Sequence, residues 1–384
     1  MRLRLATLLL FLLLVPTAQA AVRWEVTGHG FGHGVGMSQY GAYGYASHGK
    51  DYRFILRHYY AGTEVADLPG ARIVRVLLDV SSGDVGFSGA TSACGIALDP
   101  ERSYAAHRIS RSVQLRGSSG RALANCGYKL RATGQGRISI AGEQYRGALE
   151  VVQTASDSGS LNTINALPVD QYLKGVVPNE SPASWPLAAL QAQALAARSY
   201  ALSTQVDGNG FDLYDDTRSQ VYDGIASEEA RANQAVASTR GQVVTYGGGI
   251  AQTYFSACSG GHTESVQNVF FGEPVPYLVG VPDPYDGSCP LHTWELEFSG
   301  REISAKLGSY LDGKLKQVVV TKRGVSPRIV WARLIGSGGV TKIRGDQLAS
   351  ALGAYDRWMD FRKLVNGKVQ GGGRKPGPAG GVSD

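Results

Sequence analysis

One stretch, residues 167–205, constrains the fold more than any other part of the chain. Apolar side chains recur in it at spacings of three and four residues, which predicts a helix with one buried face. They are Leu187, Leu190, Ala194, Ala197 and Ala201. Ser184 is a favourable N-cap and Pro186 suits the first turn, so we expect the helix to begin here and to run to about Thr204. Because its surface is almost uncharged before Arg198, it should be covered on both sides and form the central helix of the fold.

A single glutamate, Glu180, precedes this helix in an apolar, proline-rich turn. Pro178 and Pro182 stiffen the turn, and Trp185 offers a flat apolar wall. A carboxyl group that is held rigidly in a poorly solvated place keeps its proton, as a general acid must. The alternative is that Glu180 only complements the positive N-terminus of the helix, which would lower its pKa. The local pattern leaves both interpretations open.

Residues 1–20 read MRLRLATLLLFLLLVPTAQA, which is typical of a secretory signal peptide. A retained N-terminal anchor is the alternative. After cleavage we expect a secreted protein without a membrane span. The formal charge of +6 includes the two arginines of this segment, and no long Lys/Arg cluster follows. Nucleic-acid binding is therefore not expected, whereas an anionic cell wall would suit the charge.

The chain contains four cysteines, and an even number in an exported protein predicts disulfide bonds. The simplest pairing joins sequence neighbours, Cys94 with Cys126 and Cys258 with Cys289. Zinc is the alternative, because His262 and His292 lie near the second pair. Their C-x3-H and C-x2-H spacings do not form the paired pattern of a structural zinc site. We therefore expect disulfides and no metal or other cofactor.

Just after the predicted cleavage site the chain reads WEVTGHGFGHGVGMSQYGAYGYASHG. A strand over Trp24–Thr27 should run into the alternating glycines, which let the backbone turn tightly and approach a ligand closely. His29 and His33 are four residues apart, but the glycines between them argue against a helix that presents both to one metal ion. Helices are expected over Met37–Ser47 and Tyr52–Tyr60.

Short apolar runs separated by Gly and Ser turns predict an α+β fold that is rich in mixed and antiparallel β-sheet. Residues 21–366 should form one domain around the central, Ala-rich helix. Its parts are the glycine-rich segment 24–66, a β-rich subdomain 71–166, the core 167–300 and a C-terminal α/β segment 301–366. Residues 367–384 have too little apolar content to fold and should be a disordered tail.

A helix over Ser227–Arg240 should be followed by a hairpin with strands Gln242–Tyr246 and Ile250–Ser256. The second strand runs into ACSGGHTE, where hydroxyl groups and glycines at a strand end suit a closely approached polar ligand such as a sugar. A disulfide-anchored turn is the alternative. The C-terminal elements that we expect are strands Trp294–Phe298, Lys316–Thr321 and Arg328–Gly336 and helices Arg301–Ser309 and Asp346–Leu352.

Three long motifs together resemble the stage II sporulation protein D family, which includes the amidase-enhancer proteins. They are DQYLKGVVPNESPASWPLAALQAQALAARSYAL, TYFSACSGGHTESVQNVFFG and GHGFGHGVGMSQYGAYGYASHG. The likeness spans most of residues 24–365. It implies a protein associated with the cell wall that acts on peptidoglycan glycan strands. The sporulation members are lytic transglycosylases that cut strands stripped of their stem peptides.

The motif order departs from the family pattern, in which the GHG…GMSQYGA motif follows the C-terminal segment. Its N-terminal place here implies a circular permutation, in which strand Trp24–Thr27 packs beside the C-terminal segment. The zinc of some family members depends on Cys and His ligands that this sequence does not match clearly, so it is not carried over.

The resemblance places the catalytic glutamate at Glu180. As a single general acid and base, Glu180 would protonate the leaving glycosidic oxygen and then deprotonate the muramic 6-hydroxyl, which leaves a 1,6-anhydro end. Arg198 and Tyr200 are expected to orient Glu180 or to bind acetamido groups. Seven further residues are expected to line the glycan groove: His33, Gln39 and Tyr40 on one side, and Ser256, Gly260, Gly261 and His262 opposite.

Two other functions are compatible with the sequence. A hydrolase would need a second carboxylate beside Glu180, for which Glu264 is the nearest candidate in the motifs. A non-catalytic wall-binding protein that stimulates a separate amidase would keep the groove without depending on Glu180.

Overall fold

The computed structural model describes residues 21–154, 159–206 and 208–370. The predicted signal peptide and residues 371–384 of the predicted tail lie outside these ranges. The described helices are α1 (Gln39–Ser47), α2 (Tyr52–Tyr59), α3 (Val169–Tyr172), α4 (Val177–Glu180), α5 (Leu187–Ser203), α6 (Ala230–Ser238), α7 (Val266–Phe270), α8 (Gly300–Lys306) and α9 (Gly345–Leu352), with a 3₁₀ turn at Leu173–Gly175. No helix in the described ranges is both long and apolar enough to span a bilayer.

The strands outnumber the helices, which confirms the predicted β-rich α+β class. In the first half of the chain they are β1 (Val22–His29), β2 (Met37–Ser38), β3 (Glu64–Asp67), β4 (Ile73–Ser81), β5 (Val85–Ala93), β6 (Ile96–Ala97), β7 (Ser103–Ile109), β8 (Ser112–Gly117), β9 (Ala122–Asn125), β10 (Lys129–Ile140), β11 (Glu143–Tyr145), β12 (Ala148–Gln153) and β13 (Leu161–Pro168). In the second half they are β14 (Leu213–Tyr214), β15 (Gln242–Tyr246), β16 (Gly249–Ile250), β17 (Phe255–Ser256), β18 (Thr293–Ser299), β19 (Leu315–Arg323), β20 (Ile329–Gly336), β21 (Val340–Arg344), β22 (Trp358–Val365) and β23 (Lys368–Gln370).

Helix α5 lies between two hydrophobic cores, as its uncharged surface predicts. Leu190, Ala194 and Ala197 pack into one core, while Ala192 and Leu195 pack into the other with α1 and α2. The predicted start of the helix needs one correction. Pro186 itself occupies the N-cap position, so Ser184 lies too far upstream to cap α5.

The β-rich part of the chain forms an eleven-stranded sheet in the order β14-β4-β13-β12-β10-β5-β7-β8-β9, with β11 paired to β10 and β6 to β5. All its pairings are antiparallel except that of β14 with β4. The Cys94–Cys126 disulfide joins the residues that follow β5 and β9. The core of this sheet is a cluster of side chains that alternate along the strands and point inward, which is the pattern of a sheet with one buried face.

Strand β1 lies between two strands of the C-terminal segment, in the order β18-β1-β22-β23. Trp24 pairs with Phe298 on one side, and Val26 pairs with Phe361 on the other. The two ends of the described chain therefore lie side by side. The start of the predicted disordered tail is corrected, because Lys368–Gln370 form β23 on the edge of this sheet.

The predicted hairpin is interrupted. Strand β16 ends at Ile250, and the chain resumes pairing only at β17, which is parallel to β2. Between them Thr253 is buried and its hydroxyl donates to the carbonyl oxygen of Ala196 in α5. A Cβ at Gly36, whose φ is +71°, would lie 2.1 Å from the Tyr254 carbonyl oxygen, so only glycine permits this approach. This close approach and the pairing of β2 with β17 hold the GHG…GMSQYGA motif next to the ACSGG motif.

The burial of α5 predicts a large stability loss for Leu190→Ala. Leu190 is completely buried, and removing such a side chain costs about 2 to 5 kcal/mol of unfolding free energy. Gln191→Ala, at the next position of α5, removes an exposed hydrogen bond to Ser238 of α6 and should cost about 1 kcal/mol or less. Urea denaturation measures both, and equal losses would contradict the central position of α5.

Candidate functional site

Glu180 is the last residue of the one-turn helix α4, directly before the turn that leads to α5. Its Oε2 accepts a hydrogen bond of 3.0 Å from Nε2 of Gln39, the buried first residue of α1. Its Oε1 accepts a bond of 3.4 Å from the backbone N–H of Val221. The carboxyl group is thus held from two sides by parts of the chain that are distant in sequence.

Burial raises the pKa of Glu180 above its usual range, while the hydrogen bonds from Gln39 and Val221 oppose this rise. The net direction is opposite to that expected if Glu180 only complemented the positive N-terminus of a helix. Glu180 is nevertheless partly exposed. It is therefore a poorly solvated carboxyl group that solvent and ligands can still reach.

Aromatic side chains pack together between the turn that follows Glu180 and helix α1. Trp185 packs edge-on against Tyr40 at a ring distance of 5.0 Å and in a tilted arrangement against Tyr43 at 5.1 Å. Tyr40 follows Gln39 in α1, so the residue that binds Glu180 and the residue that packs on Trp185 are adjacent. Trp185 itself is buried in the core, so the partly exposed rings at this place are Tyr40 and Tyr43, which pack against it.

A second row of rings begins at Tyr200, whose pKa is raised to about 12, chiefly by burial and also by its neighbours Tyr254 and Glu180. Tyr200 meets Tyr254 at 5.7 Å, Tyr254 meets Phe270 at 5.0 Å, and Phe270 meets His33 at 5.6 Å. We call these four residues the aromatic strip. It connects the surroundings of Glu180 with His33 of the glycine-rich segment.

The ring of His33 is held in one orientation, since its Nδ1 accepts a hydrogen bond of 2.9 Å from the N–H of Val35. Burial, together with repulsion from Arg357 and Arg328, lowers the pKa of His33 to about 4. The imidazole is therefore neutral at neutral pH. Its neighbour in the motif, His29, packs on Trp358 at 4.8 Å instead, so the two histidines have different surroundings.

The role predicted for Arg198 is corrected. Arg198 is fully buried, and its guanidinium donates to Asp170 at 2.9 Å and to the carbonyl oxygens of Gln242 and Val236. These bonds tie α5 to α3 and to the start of β15, so the side chain does not face a groove. The local sequence did not reveal Asp170 as its partner.

The backbone N–H groups of Gly260 and Gly261, two residues predicted to line the glycan groove, have partners within the protein. Both backbone N–H groups donate to Oδ2 of Asp286, at 2.7 and 3.3 Å. The Cys258–Cys289 disulfide closes the same loop, and both predicted disulfides are confirmed. The alternative interpretation of this motif, a disulfide-anchored turn, therefore describes it better. With both sulfur atoms in the bond, Cys258 and Cys289 offer no thiolate to zinc.

Ser256 and His262 also serve the packing of the motifs. Ser256 Oγ accepts a bond of 3.2 Å from the N–H of Gly34. Nδ1 of His262 lies 2.7 Å from the carbonyl oxygen of Thr263. Of the residues predicted to line the groove, Gln39 and Tyr40 lie in α1 beside Glu180, and His33 lies on the aromatic strip. Ser256 joins the two motifs to each other, whereas His262 contacts its own motif.

Glu264 is completely enclosed, with 1% of its surface exposed. Its oxygens accept bonds from the N–H groups of Ser265, Val325 and Ser326, from the Asn268 amide and from the Ser326 hydroxyl. All of its acceptor capacity is used to fix two loops. Glu264 is therefore unsuited to act as a second carboxylate on a ligand.

Sequence reasoning missed a buried acidic pair under the ACSGG loop. The Ser259 hydroxyl lies 2.8 Å from both Asp283 and Asp286, and Tyr59 donates to Asp283 at 2.8 Å. Burial and the neighbouring Asp286 raise the pKa of Asp283 to about 7, while His292 pairs with Asp286 at 2.9 Å. The Pro-Asp-Pro sequence around Asp283 resembles an exposed turn, and no local signal indicates this burial.

The raised pKa of Glu180 predicts a pH-dependent stability effect. The protonated carboxyl is favoured in the folded state, so its contribution is complete at low pH and is lost as the pH rises through the folded pKa. Glu180→Gln removes this loss, so its unfolding free energy relative to wild type should increase from about pH 4 to about pH 7. Urea denaturation at both pH values measures it, with Glu229→Gln, at an exposed glutamate, as the matched control. A relative stability that falls over this range would contradict the burial of the carboxyl.

A family model described as stage II sporulation protein (SpoIID) matches residues 157–246. The chain is 37% identical over 179 residues to an uncharacterized protein of Brachyspira hyodysenteriae, covering 46% of this chain and 47% of the relative. It is 37% identical over 170 residues to the amidase enhancer of Bacillus subtilis, covering 44% of this chain and 23% of the relative. It is 32% identical over 237 residues to stage II sporulation protein D of Bacillus subtilis, covering 57% of this chain and 66% of the relative.

These alignments span less than two thirds of each relative, from 23% to 66% of its length. The matched segment contains both Glu180 and helix α5, the two features around which the site is built. Residues 157–246 of this chain therefore match the stage II sporulation protein D (SpoIID) family.

Proposed function

We propose that this protein is an exported lytic transglycosylase that cleaves peptidoglycan glycan strands with Glu180 as its general acid and base. The observation that carries the proposal is the environment of Glu180, which is poorly solvated, reachable from outside and fixed by Gln39. The match of residues 157–246 to the SpoIID family supports a role at the cell wall. The two disulfides and the sequence of residues 1–20 support an extracytoplasmic location.

The two opposing influences on the pKa of Glu180 suit the two halves of such a reaction. Burial favours the protonated form, which donates its proton to the leaving glycosidic oxygen. The hydrogen bonds from Gln39 and Val221 favour the carboxylate that results. This carboxylate then removes the proton of the muramic 6-hydroxyl, whose oxygen attacks C1 and closes the 1,6-anhydro ring. No water is consumed.

The aromatic residues on both sides of Glu180 suit a sugar chain, because flat apolar surfaces pack against the apolar faces of sugar rings. Tyr40 and Tyr43 beside Trp185 provide one surface, and the aromatic strip provides the other. Few polar groups contact Glu180, namely the Gln39 amide and the Val221 N–H, and most ligand sites likewise have a small number of polar groups among apolar ones. A glycan that crosses the site would pass over Glu180 between these two surfaces.

Hydrolysis with retention or inversion normally requires two carboxylates at the scissile bond. Glu264, the second candidate from the sequence, is enclosed and fully hydrogen-bonded. In the described residues, no carboxylate contributes to the pKa of Glu180. A one-carboxylate transglycosylase therefore fits this site better than a hydrolase.

The second candidate function is a non-catalytic wall-binding protein that stimulates a separate amidase. It is favoured by the similarity to the amidase enhancer of Bacillus subtilis, of which this chain covers only 23%. Such a protein would use the aromatic surfaces to bind glycan but would not depend on the acidity of Glu180. A role in sporulation is not required by either function.

The catalytic role proposed for Glu180 predicts a loss of product release when the carboxyl group is removed. Glu180→Gln should lower the rate of formation of anhydro-muramic ends from stripped glycan strands by about 10² to 10⁴-fold, the usual contribution of a general acid. Glu229→Gln makes the same chemical change at an exposed glutamate and should keep the wild-type rate. Mass spectrometry of the released fragments measures both. Equal release by wild type and Glu180→Gln would remove the catalytic role.

The hydrogen bond from Gln39 to Glu180 predicts a shift of the pH–rate profile when it is removed. Gln39→Ala removes a hydrogen bond that favours the carboxylate, so the pKa of Glu180 should rise further. The reaction needs the protonated acid at the start, and its rate falls as the pH rises through this pKa. The alkaline limb of the pH–rate profile should therefore move to higher pH. An unchanged limb with a uniformly lower rate would mean that Gln39 has only a structural role.

A further inference from the structure

The three-stranded sheet β19-β20-β21 turns one face to a hydrophobic core and the other to solvent. Ala332 and Ile343 are paired across β20 and β21 and are completely buried. Because side chains alternate along a strand, the residues on either side of these positions point outward. The register places five residues on this outward side, which we call the basic face. They are Lys322, Trp331, Arg333, Lys342 and Arg344.

The charge of this segment differs from that of the chain as a whole. The chain has 38 Lys and Arg against 32 Asp and Glu, whereas residues 313–345, which contain all three strands, have Lys or Arg at eight positions and no Asp or Glu. Three of these cations are neutralised by acidic residues outside the segment. The ion pairs are Arg323 with Asp360, Arg328 with Asp356 and Arg344 with Asp346.

The remaining five cations are exposed and form no ion pair with any residue that the structure describes. They are Lys314, Lys316, Lys322, Arg333 and Lys342. Glu273, which follows Phe271 by two residues, does not pair with them within the described ranges. Like charges that are held together on one surface repel each other, so an anion that binds to the basic face relieves this repulsion.

Aromatic rings lie among these cations. The Nζ atom of Lys342 lies 4.0 Å from the centre of the Trp331 ring. Trp331 packs against Phe271 at a ring distance of 5.7 Å, and the guanidinium of Arg344 lies 5.2 Å from the centre of the Phe271 ring. Phe271 is exposed and has a φ of +57°, a left-handed conformation that is rare for a bulky side chain. The fold therefore keeps a phenylalanine ring on the surface at a conformational cost.

The basic face is continuous with the surface beside Glu180. Phe271 directly follows Phe270, which belongs to the aromatic strip. Rings in contact or adjacent in sequence therefore lead from Tyr200, near Glu180, to Trp331 on the basic face. A polymer that extends from the site around Glu180 can contact both surfaces at once.

A ligand for this face must combine flat rings with negative charge. Aromatic side chains pack against the apolar faces of sugars, and Lys and Arg bind carboxylates. Peptidoglycan carries free carboxylates on its stem peptides, close to its sugar rings. Nucleic acid also combines rings with negative charge, but the two disulfides favour a place outside the cytoplasm, where peptidoglycan is the abundant polyanion.

We propose that the basic face is a second peptidoglycan-binding surface, which holds the intact wall through the carboxylates of its stem peptides. The inference rests on the proposed role at the cell wall but not on the catalytic role of Glu180. Lys322, Lys342 and Trp331 then set the affinity for the insoluble wall and leave the cleavage step unchanged.

Co-sedimentation with purified sacculi measures this affinity, with Glu180→Gln as the parent protein so that the sacculi stay intact. Lys322→Gln together with Lys342→Gln, called the lysine variant, should weaken binding by about threefold to thirtyfold at low salt, since each exposed charge contact is weak. Trp331→Ala should weaken it by a similar factor.

The matched control is Arg53→Gln together with Arg57→Gln, which removes the same charge from exposed positions of α2. It should keep the affinity of the parent protein. Equal binding by the parent and the lysine variant would overturn the proposal. An equal loss in the lysine variant and in the α2 control would also overturn it, because the net charge of the protein would then be sufficient.

Two treatments of the sacculi identify the anion. Amidation of the carboxylates should remove the difference in affinity between the parent and the lysine variant. Hydrofluoric acid, which removes phosphate-linked polymers from the wall, should leave this difference unchanged. A difference that survives amidation, or that disappears after hydrofluoric acid, would overturn the assignment to stem-peptide carboxylates.

Catalysis is measured separately, as release of anhydro ends from short soluble glycan strands by proteins that retain Glu180. The lysine variant should release them at the wild-type rate, and slower release would contradict a surface that is separate from cleavage. Lysine-dependent binding to sacculi without release by any protein would refute only the transglycosylase proposal. Release by proteins whose binding to sacculi does not depend on the two lysines would refute only the role of the basic face.

Discussion

The hydrogen bond from Gln39 to Glu180 joins two parts of the chain that are 141 residues apart, and the site depends on it. Gln39 reaches Glu180 because β2 pairs with β17 and because α1 and α2 pack on α5 in one of its two hydrophobic cores. Helix α5 is the element on which both cores meet. The glycine-rich segment, the ACSGG loop and α5 therefore form one unit, and loss of any contact between them would move the carboxyl group or its partner.

This unit holds Glu180 between two opposing influences. Full exposure would leave a carboxylate with no proton to donate, whereas full burial would keep the proton but exclude the glycan. The aromatic surfaces on both sides exclude part of the solvent, and the bonds from Gln39 and Val221 limit how far the pKa rises. The enclosed Glu264 and the paired Asp286 show the contrasting case, in which carboxylates of the same region fix loops and are not available to a ligand.

The elements that were predicted correctly depend on local pattern. The spacing of apolar residues indicated α5 and its covered sides, and sequence proximity indicated both disulfides. What could not be predicted depends on distant partners. The sequence predicts that Gly260 and Gly261 bind a sugar, but Asp286 accepts hydrogen bonds from both of their backbone N–H groups. It also predicts that Arg198 orients Glu180 or binds acetamido groups, but the guanidinium donates to Asp170 inside the protein.

The central claim is that Glu180 drives cleavage without a water molecule as nucleophile. Its most direct test is digestion of stripped glycan strands by the wild-type protein in ¹⁸O-labelled water, followed by mass spectrometry of the new muramic ends. We expect anhydro ends that carry no label, because the oxygen that attacks C1 comes from the sugar itself. Reducing ends that carry the heavy isotope would contradict the account and would require a second group in the site to activate water.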